Sequence, residues 1–589
     1  MPNTEAALEF ETVHNRKTVK QDLCNIRKTM PREQTRDLDI FPIIDRTLID
    51  YDRYHHYIGH AGVKYSMAIQ ATRGCPYKCF YCDIYKTNPN HNRRTVDNFF
   101  NEVKMLADIG VKRFEFIDDI FNVHKKSCIA FFEKVLQHNL KVHFFFPTGL
   151  KGDLLDKDMI DLMVEGGSVG LNLSLEHAAP RMQEIMRKRL DVDILHENLD
   201  YITQKYPHVN LTLNAMHGFP TETEEEAMAT LNYIRSIKWL DFPYLHNVRI
   251  FPGTEIESFA LEVGIPRELL AQARDMSYHE QAPTLPFTKE FTRQVRTIFV
   301  ADYVLNRERL LSRLPHQMRL FSEDELNQRY NAYFPSPNVK NLDDLLRVAK
   351  IKRSELVVPD AATDDDFRIP ELKTSLAKLF PEKPKARKDA FRLMMIDLSS
   401  YFSHDADIRE YNVLEPPLGL MALMSYVNRE FGDKVDGRVF KSLIDFDSFE
   451  ELLDLVREVN PHMIGVRAMT FYSGFFHDAI AYLRDQGIDI PIIVGGPYPT
   501  ASYAEILKDR NIDMAVIAEG EITLGDILTR SIANGNKLPP KEELAEVSGI
   551  AFYDETYAPV IAGAHAKHDH GHDHDHDHDH DHDHDHTHH

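Results

Sequence analysis

From Tyr65 to about Gly253, short apolar runs alternate with stretches of helical period. SMAIQAT reads as a buried strand and NFFNEVKMLADIG as an amphipathic helix stopped at Gly110. KRFEFIDDIF reads as a strand ending in two carboxylates, Asp118 and Asp119. KVHFFFPTG, SVGLNLSLEH, NLTLNAMHGFP and PYLHNVRIFPGT continue the strands, with DMIDLMVEGG and residues 198–205 as helices among them. Repeated strand-helix units predict a parallel sheet, and about six of them predict an α/β fold built on a partial, TIM-like (β/α)6 barrel. In such barrels the functional groups lie at the C-terminal strand ends.

The pattern divides the rest of the chain. Residues 1–60 form a polar arm and linker, 61–260 the barrel, and 261–357 a helical extension predicted to cover the barrel mouth. Residues 358–388 gain prolines and charge and are expected to be an inter-domain linker. Strand and helix signals return over 389–560: FRLMMIDLS, then a helix introduced by Pro416 and Pro417, then PHMIGVRAMT, DIPIIVGGPYP and NIDMAVIAEGE. They predict a Rossmann-like, doubly wound sheet, and without a GxGxxG after its first strand a dinucleotide is not the expected ligand. Residues 561–589 alternate His and Asp, cannot form a core, and suit a divalent metal, a solubilising appendage being the other reading.

Composition narrows the setting. The 589 residues exceed one core, so two or three domains are expected. Five cysteines are too few for a disulfide framework and fit a reducing cytoplasm. No apolar run of about 18 residues and no signal peptide is present, so no membrane span is expected. A formal charge of −23 disfavours DNA as a partner, although eight of the acids lie in the tail.

The candidate chemistry centres on CPYKCFYC. Cys75, Cys79 and Cys82 occupy one loop, and three close thiolates favour iron-sulfur or zinc chemistry. A closed zinc site wants a fourth ligand that the neighbourhood does not offer, so the triad favours a cluster with one open iron. This CxxxCxxC pattern, with Tyr81 before its third cysteine, resembles the signature of the radical S-adenosylmethionine (SAM) enzymes. The resemblance implies that Cys75, Cys79 and Cys82 are the metal ligands and catalytic centre, holding a 4Fe-4S cluster whose open iron is chelated by SAM. Reductive cleavage to a 5'-deoxyadenosyl radical would need an external electron donor of flavodoxin or ferredoxin type.

Further segments follow in the family's order. FIDDIF, with Asp118 and Asp119, resembles the segment that contacts the SAM methionine moiety. Glu176 and Lys188 resemble the glutamate and lysine of the ribose-binding segment, with His177 where Ser is common. MHGFPTETEEEA, with Gly218 and Pro220, and FPGT, with Pro252 and Gly253, are similar to the turn and adenine-side segments.

PPLGLMALMSYV, IIVGGPYPTASYAEIL and AVIAEGEITLGDIL resemble the cobalamin-binding domain of one large radical SAM group. The residues expected at cobalamin are Pro417, Gly419, Met469, Thr470, Phe471, Gly495, Gly496, Thr500, Glu519 and Gly520, with the loop from Met469 to Tyr472 facing cobalt. A DxHxxG motif is absent. In most of this group the cobalamin domain comes first and reaches the cysteine loop through a linker like RDLDIFPIID. Here RDLDIFPIID opens the chain and a hairpin-like VSGIAFYDETYAPV closes it, so the parts look circularly permuted and the Ala558 region is expected near Arg36. The function implied is a cobalamin-dependent methyltransferase acting on an unactivated carbon of a small-molecule substrate. Radical rearrangement, cyclisation or oxidation without methyl transfer, and a metal-binding protein with a silent barrel, are the alternatives. His217, Tyr244, His246 and Arg249 are candidate substrate contacts at the barrel mouth.

Overall fold

The computed structural model describes residues 25–557 apart from 89, 275–281, 334–338, 381 and 405–412. Strand β1 (Ile26–Lys28) belongs to the second domain's sheet and is followed by β2 (Ser66–Ile69) and the small ribbon of β3 (Thr72–Arg73) and β4 (Asn92–Arg93). Then come β5 (Arg113–Phe116), β6 (His143–Leu150), β7 (Ser168–Glu176), β8 (Asn210–His217) and β9 (Phe242–Asn247). Strands β2, β5, β6, β7, β8 and β9 pair in that order, all parallel, as the six-unit barrel. Helices such as Val96–Asp108 and Lys125–Gln137 begin on side-chain caps, Thr95 and His124, and bury their apolar faces outside the sheet. Phe99, Phe116, Phe131 and Phe144 interlock there, and Phe116 stacks on Phe146 with ring centroids 4.4 Å apart.

From Arg307 onward the helical extension closes the opposite end of the barrel from the one expected, while its Leu285 and Phe287 lie beside Gly218 and His217 at the strand C-termini. Helices Arg307–Leu320 and Glu323–Tyr333 reach residues at the strand N-termini. Arg313 pairs with Asp241 at 2.6 Å just before β9, and Arg113 at the start of β5 pairs with the fully buried Glu325. Arginines projecting from these helices have carboxylates and carbonyls to satisfy at the barrel floor, which fixes the helices there. The rest of the mouth is left for the other domain.

That domain holds β10 (Phe391–Asp397), β11 (Val435–Lys441), β12 (Met463–Arg467), β13 (Ile492–Gly495), β14 (Met514–Val516) and β15 (Ile550–Tyr553). The parallel order β11-β10-β12-β13-β14 is the 2-1-3-4-5 arrangement, whose ligands bind beyond the strand C-termini at the switch between first and third strands. Sequence reading passed over β11. It is an edge strand whose buried positions Val435, Gly437, Val439 and Lys441 alternate with Asp436, Arg438 and Phe440, so it lacks the continuous apolar run of its neighbours.

Strands β15 and β1 extend this sheet antiparallel, pairing Ile26 with Tyr553 and Lys28 with Ala551. The first and last described strands are therefore neighbours, and Arg27 lies over the Tyr557 ring at 5.6 Å. Ala558 and the His/Asp tail lie outside the described residues.

The lead-in from Arg36 to Tyr54 is three short turns, each started by an aspartate cap: Asp37, Asp45 and Asp50. It lies between the domains. Arg46 is buried on Glu102 at 2.8 Å, while the Asp45 N–H donates to Ser425 in the second domain at 2.8 Å. Residues 358–388 are more ordered than their composition suggests, because Ile369, Leu372 and Leu376 fall at helical spacing. They bury against the barrel core through helix Leu372–Leu379.

Candidate functional site

The cysteine loop leaves β3 through Gly74. This residue has φ 88°, and a side chain there would meet the Asn90 carbonyl at 2.0 Å. Asp119 accepts the Gly74 N–H at 2.8 Å. Asp118 accepts from the Ala71 N–H at 3.1 Å and from the Thr72 hydroxyl at 2.6 Å. Both carboxylates are thus turned onto the backbone that shapes the loop. Burial raises both, Asp118 to about 7, against these hydrogen bonds.

Beyond Gly74 the three thiols are half-buried, and the Cys82 N–H donates to the Cys79 carbonyl at 3.1 Å. Burial pushes the Cys75 thiol up to about 11 and that of Cys82 to about 12. Among the described residues no three His, Cys, Asp or Glu side chains converge on a single-ion position, these thiols included. A lone zinc would need its sulfurs each at about 2.3 Å. Thiols spread around one loop suit a cluster, in which each binds a separate iron.

Around the loop, Lys188 pairs with Glu176 at 2.7 Å, and Glu176 takes φ 64°, a backbone region that turns its side chain off the strand line. Tyr81 is half-buried against Phe80 and Phe219, and desolvation raises its hydroxyl well above the usual value. His177 bonds the fully buried Glu222 at 2.9 Å. Glu222 in turn accepts the Gly218 and Phe219 N–H groups at 2.6 and 2.8 Å, fixing the turn that contains Pro220. Gly218 has φ 89°, and a side chain on it would strike Leu285. Past Pro252, the Gly253 N–H donates to Glu257 at 2.8 Å, and its Cα faces the second domain, 3.1 Å separating a built Cβ from the Ala501 carbonyl.

The two domains enclose a cavity of about 580 Å³. Its barrel side carries Thr148, Asn172, Asn214, Tyr244 and His246, and its far side carries Asp397, Glu415, Lys441, Arg467, Met469 and Phe471. Tyr244 and His246 stack at 5.5 Å, and burial lowers His246 to about 4. The Asn172 amide donates to the Pro147 carbonyl at 2.9 Å, which assigns its other atom as an acceptor. His217 and Arg249 are buried near this wall but are not among the cavity lining residues.

On the far side, Asp397, Lys441 and Arg467 end β10, β11 and β12. Arg467 lies 2.8 Å and Lys441 3.6 Å from the Asp397 carboxylate. Burial works to raise Asp397, but Lys441, Arg467 and Ser399 hold it below the usual carboxylate range. Burial lowers Lys441. Beside them, Glu415 of the second domain meets Glu115 of β5. Burial, and for Glu115 the facing carboxylate, raise both, Glu115 to about 8, so the pair keeps a proton. These charges were missed in the sequence because they come from segments far apart in the chain. For Asp397 and Arg467 the available signal was a polar residue ending the apolar runs of β10 and β12.

The remaining expected contacts spread along the same strand ends. Pro417 starts helix Leu418–Phe431, and Gly419 beside it leaves open space at the cavity edge. Met469 and Phe471 line the cavity around the turn Thr470–Tyr472, and Phe471 meets Phe251 of the barrel at 5.7 Å. Gly495 ends β13. Gly496 needs its missing side chain, having φ 94° and only 2.9 Å between a built Cβ and Arg467. Thr500 accepts the Ala518 N–H at 3.1 Å, and Glu519, next to Gly520, faces Arg73 of β3 at 3.8 Å. A cleft at the switch point, with Gly419 at its edge and Asp397, Lys441 and Arg467 along its floor, fits an amide-bearing cofactor such as cobalamin, while Gly495, Gly496, Thr500, Glu519 and Gly520 lie outside its lining.

Residues 69–234 match the radical SAM superfamily and residues 406–528 the B12 binding domain. An uncharacterized methyltransferase of Pyrococcus horikoshii is 25% identical over 239 residues, 40% of this chain and 50% of that protein. The tRNA-2-methylthio-N(6)-dimethylallyladenosine synthase of Aquifex aeolicus is 25% identical over 236 residues, 38% of this chain and 52% of its own. The chain spans about half the length of the curated relatives it matches. Among solved structures, TsrM from Kitasatospora setae, a radical SAM methyltransferase with tryptophan and a SAM analogue bound, aligns at 16% identity. That alignment covers 36% of this chain and 41% of TsrM, with a TM-score of 0.33. The cobalamin-dependent radical enzyme OxsB aligns at 12% identity over 53% of each chain, also with a TM-score of 0.33. No helix among the described residues is long and apolar enough to cross a membrane. The cofactors that go with the two matched domains are a 4Fe-4S cluster, SAM and cobalamin. The chain carries a radical SAM domain, residues 69–234, followed by a B12-binding domain, residues 406–528.

Proposed function

We propose that this protein is a cobalamin-dependent radical SAM methyltransferase that methylates an unactivated carbon of a small molecule held between its two domains. The observation that carries the reading is the shared cavity, walled by barrel strands on one side and by the strand C-termini of the B12-binding domain on the other. When bound, the cluster with SAM supplies a hydrogen-abstracting radical and cobalamin supplies a transferable methyl group.

Cys75, Cys79 and Cys82 hold the cluster, and Asp118 and Asp119 fix the loop that presents them. Tyr81, Glu176, Lys188, Gly218, Pro220, Pro252 and Gly253 surround the place for SAM. Met469, Thr470 and Phe471 face the corrin from β12. Pro417, Gly419, Gly495, Gly496, Thr500, Glu519 and Gly520 line the path for its periphery. Asn172, Tyr244 and His246 orient the substrate from the barrel wall, and closure by both domains excludes water. An external donor of flavodoxin or ferredoxin type supplies electrons.

The test is anaerobic incubation of the reconstituted enzyme with methyl-labelled SAM and a panel of small molecules. Label in a product supports the reading. Deoxyadenosine formed with no label transferred replaces methylation by rearrangement, cyclisation or oxidation.

A further inference from the structure

Arg73 stands between the two cofactor loops. It is the last residue of β3, two positions before Cys75, yet its guanidinium points out of the barrel toward the B12-binding domain. There it pairs with Glu521 at 2.7 Å and faces Glu519 at 3.8 Å, while the Phe41 ring of the lead-in covers it at 5.1 Å. Arg73 and both acids are largely shielded from water, with the Glu521 side chain only 6% exposed. One cation thus serves two buried carboxylates, an arrangement that fails if either side moves away.

Neither loop has slack to absorb such a movement. On the barrel side, Gly74 has φ 88°, its N–H is held by Asp119 at 2.8 Å, and the Asn90 carbonyl crowds its Cα. On the other side, Ala518 has φ 65°, unusual without glycine, and its N–H is held by Thr500 at 3.1 Å. A shift at Glu519–Glu521 is therefore passed through Arg73 to Cys75, and the reverse.

We infer that Arg73 is a positioning residue that couples the cysteine loop to the Ala518–Glu521 loop, so that SAM and cobalamin bind cooperatively. The inference rests on the proposed reading that these loops border the SAM and cobalamin sites. Whichever ligand arrives first and shifts its own loop shifts the other through the clamp, so the second meets a loop already moved. Linkage makes the effect reciprocal.

The experiment uses full-length, anaerobically reconstituted protein and calorimetric titration with SAM, with and without saturating hydroxocobalamin. Hydroxocobalamin is expected to tighten SAM about tenfold, within the usual range for such coupling. In Arg73→Gln that ratio falls to about one, and Arg73→Lys, which keeps the charge, restores part of it. A purely structural salt bridge would weaken both ligands and leave the ratio unchanged, so an unchanged ratio in Arg73→Gln overturns the inference. A wild-type ratio of one overturns it as well. If Arg73→Gln does not fold or load iron, the Glu519→Gln/Glu521→Gln double variant carries the same expectation from the other side. Failure of hydroxocobalamin to bind wild-type protein removes the proposed function along with the coupling. Binding of both ligands without coupling removes the coupling alone.

Discussion

The cysteine loop and the floor of the interdomain cavity solve the problem of buried polar groups in different ways. On the cysteine side, Asp118 and Asp119 belong to one strand end and spend their oxygens on backbone N–H and hydroxyl groups of an adjacent loop. The carboxylates there serve geometry. On the B12 side, Asp397, Lys441 and Arg467 come from three strands and satisfy one another as charges. One region is a loop shaped by its neighbours' carboxylates, and the other is a preassembled charged floor of the cavity. The lesson is that a motif close in sequence builds the first, whereas only sheet topology builds the second.

Four variants would break or sharpen this contrast. The largest effect belongs to the loop ligands: Cys75→Ala/Cys79→Ala/Cys82→Ala should drop iron from about four per chain to background after reconstitution. Cobalamin uptake should persist in the same sample. Next is Asp397→Ala, which removes the counter-charge of the buried Lys441 and the partly exposed Arg467. It should cost about 3–5 kcal/mol in denaturant unfolding of the B12-binding domain, while the cluster still loads. A loss below 1 kcal/mol would mean that the charged floor is already well solvated.

Gly74→Ala places a methyl group against the Asn90 carbonyl at a left-handed φ, with an expected loss of about 1–3 kcal/mol. Slower iron uptake would locate that strain in the cysteine loop, and uptake at the wild-type rate would show that the loop rearranges freely. The smallest effect concerns Glu115, raised from its ordinary 4.5 to about 8 by burial and by Glu415. Because the folded state holds this proton more tightly, the pair's contribution is full below pH 4.5 and is lost as pH rises toward 8. Glu115→Gln should flatten that decline, which for one proton is at most about 1.4 kcal/mol per pH unit. Unfolding free energies at pH 6 and 8.5 measure it, and an undiminished slope in the variant would assign the decline to other groups.

Much of the barrel was legible because its strands are buried on both faces and read as apolar runs: SVGLNLSLE and NLTLNAMH coincide with β7 and β8. The cysteine loop was legible because its ligands are neighbours in the chain. Edge strand β11 was not, since half of its residues face outward, and with it went Lys441. The carboxyl pair Glu115 and Glu415 was invisible for a related reason, its members lying in different domains 300 positions apart. The helical extension was read correctly as helices and, from Arg307 onward, placed at the wrong end. Amphipathic period says that a face is buried, and only partners such as Asp241 and Glu325 say against what.

The proposal that the cluster and cobalamin act together at the domain interface is tested most directly by electron paramagnetic resonance of protein loaded with cob(II)alamin and a reduced 4Fe-4S cluster. It predicts that reducing the cluster broadens or splits the cob(II)alamin signal through dipolar coupling between the two sites. With both cofactors bound in full, a cob(II)alamin spectrum indifferent to the cluster's oxidation state would contradict it.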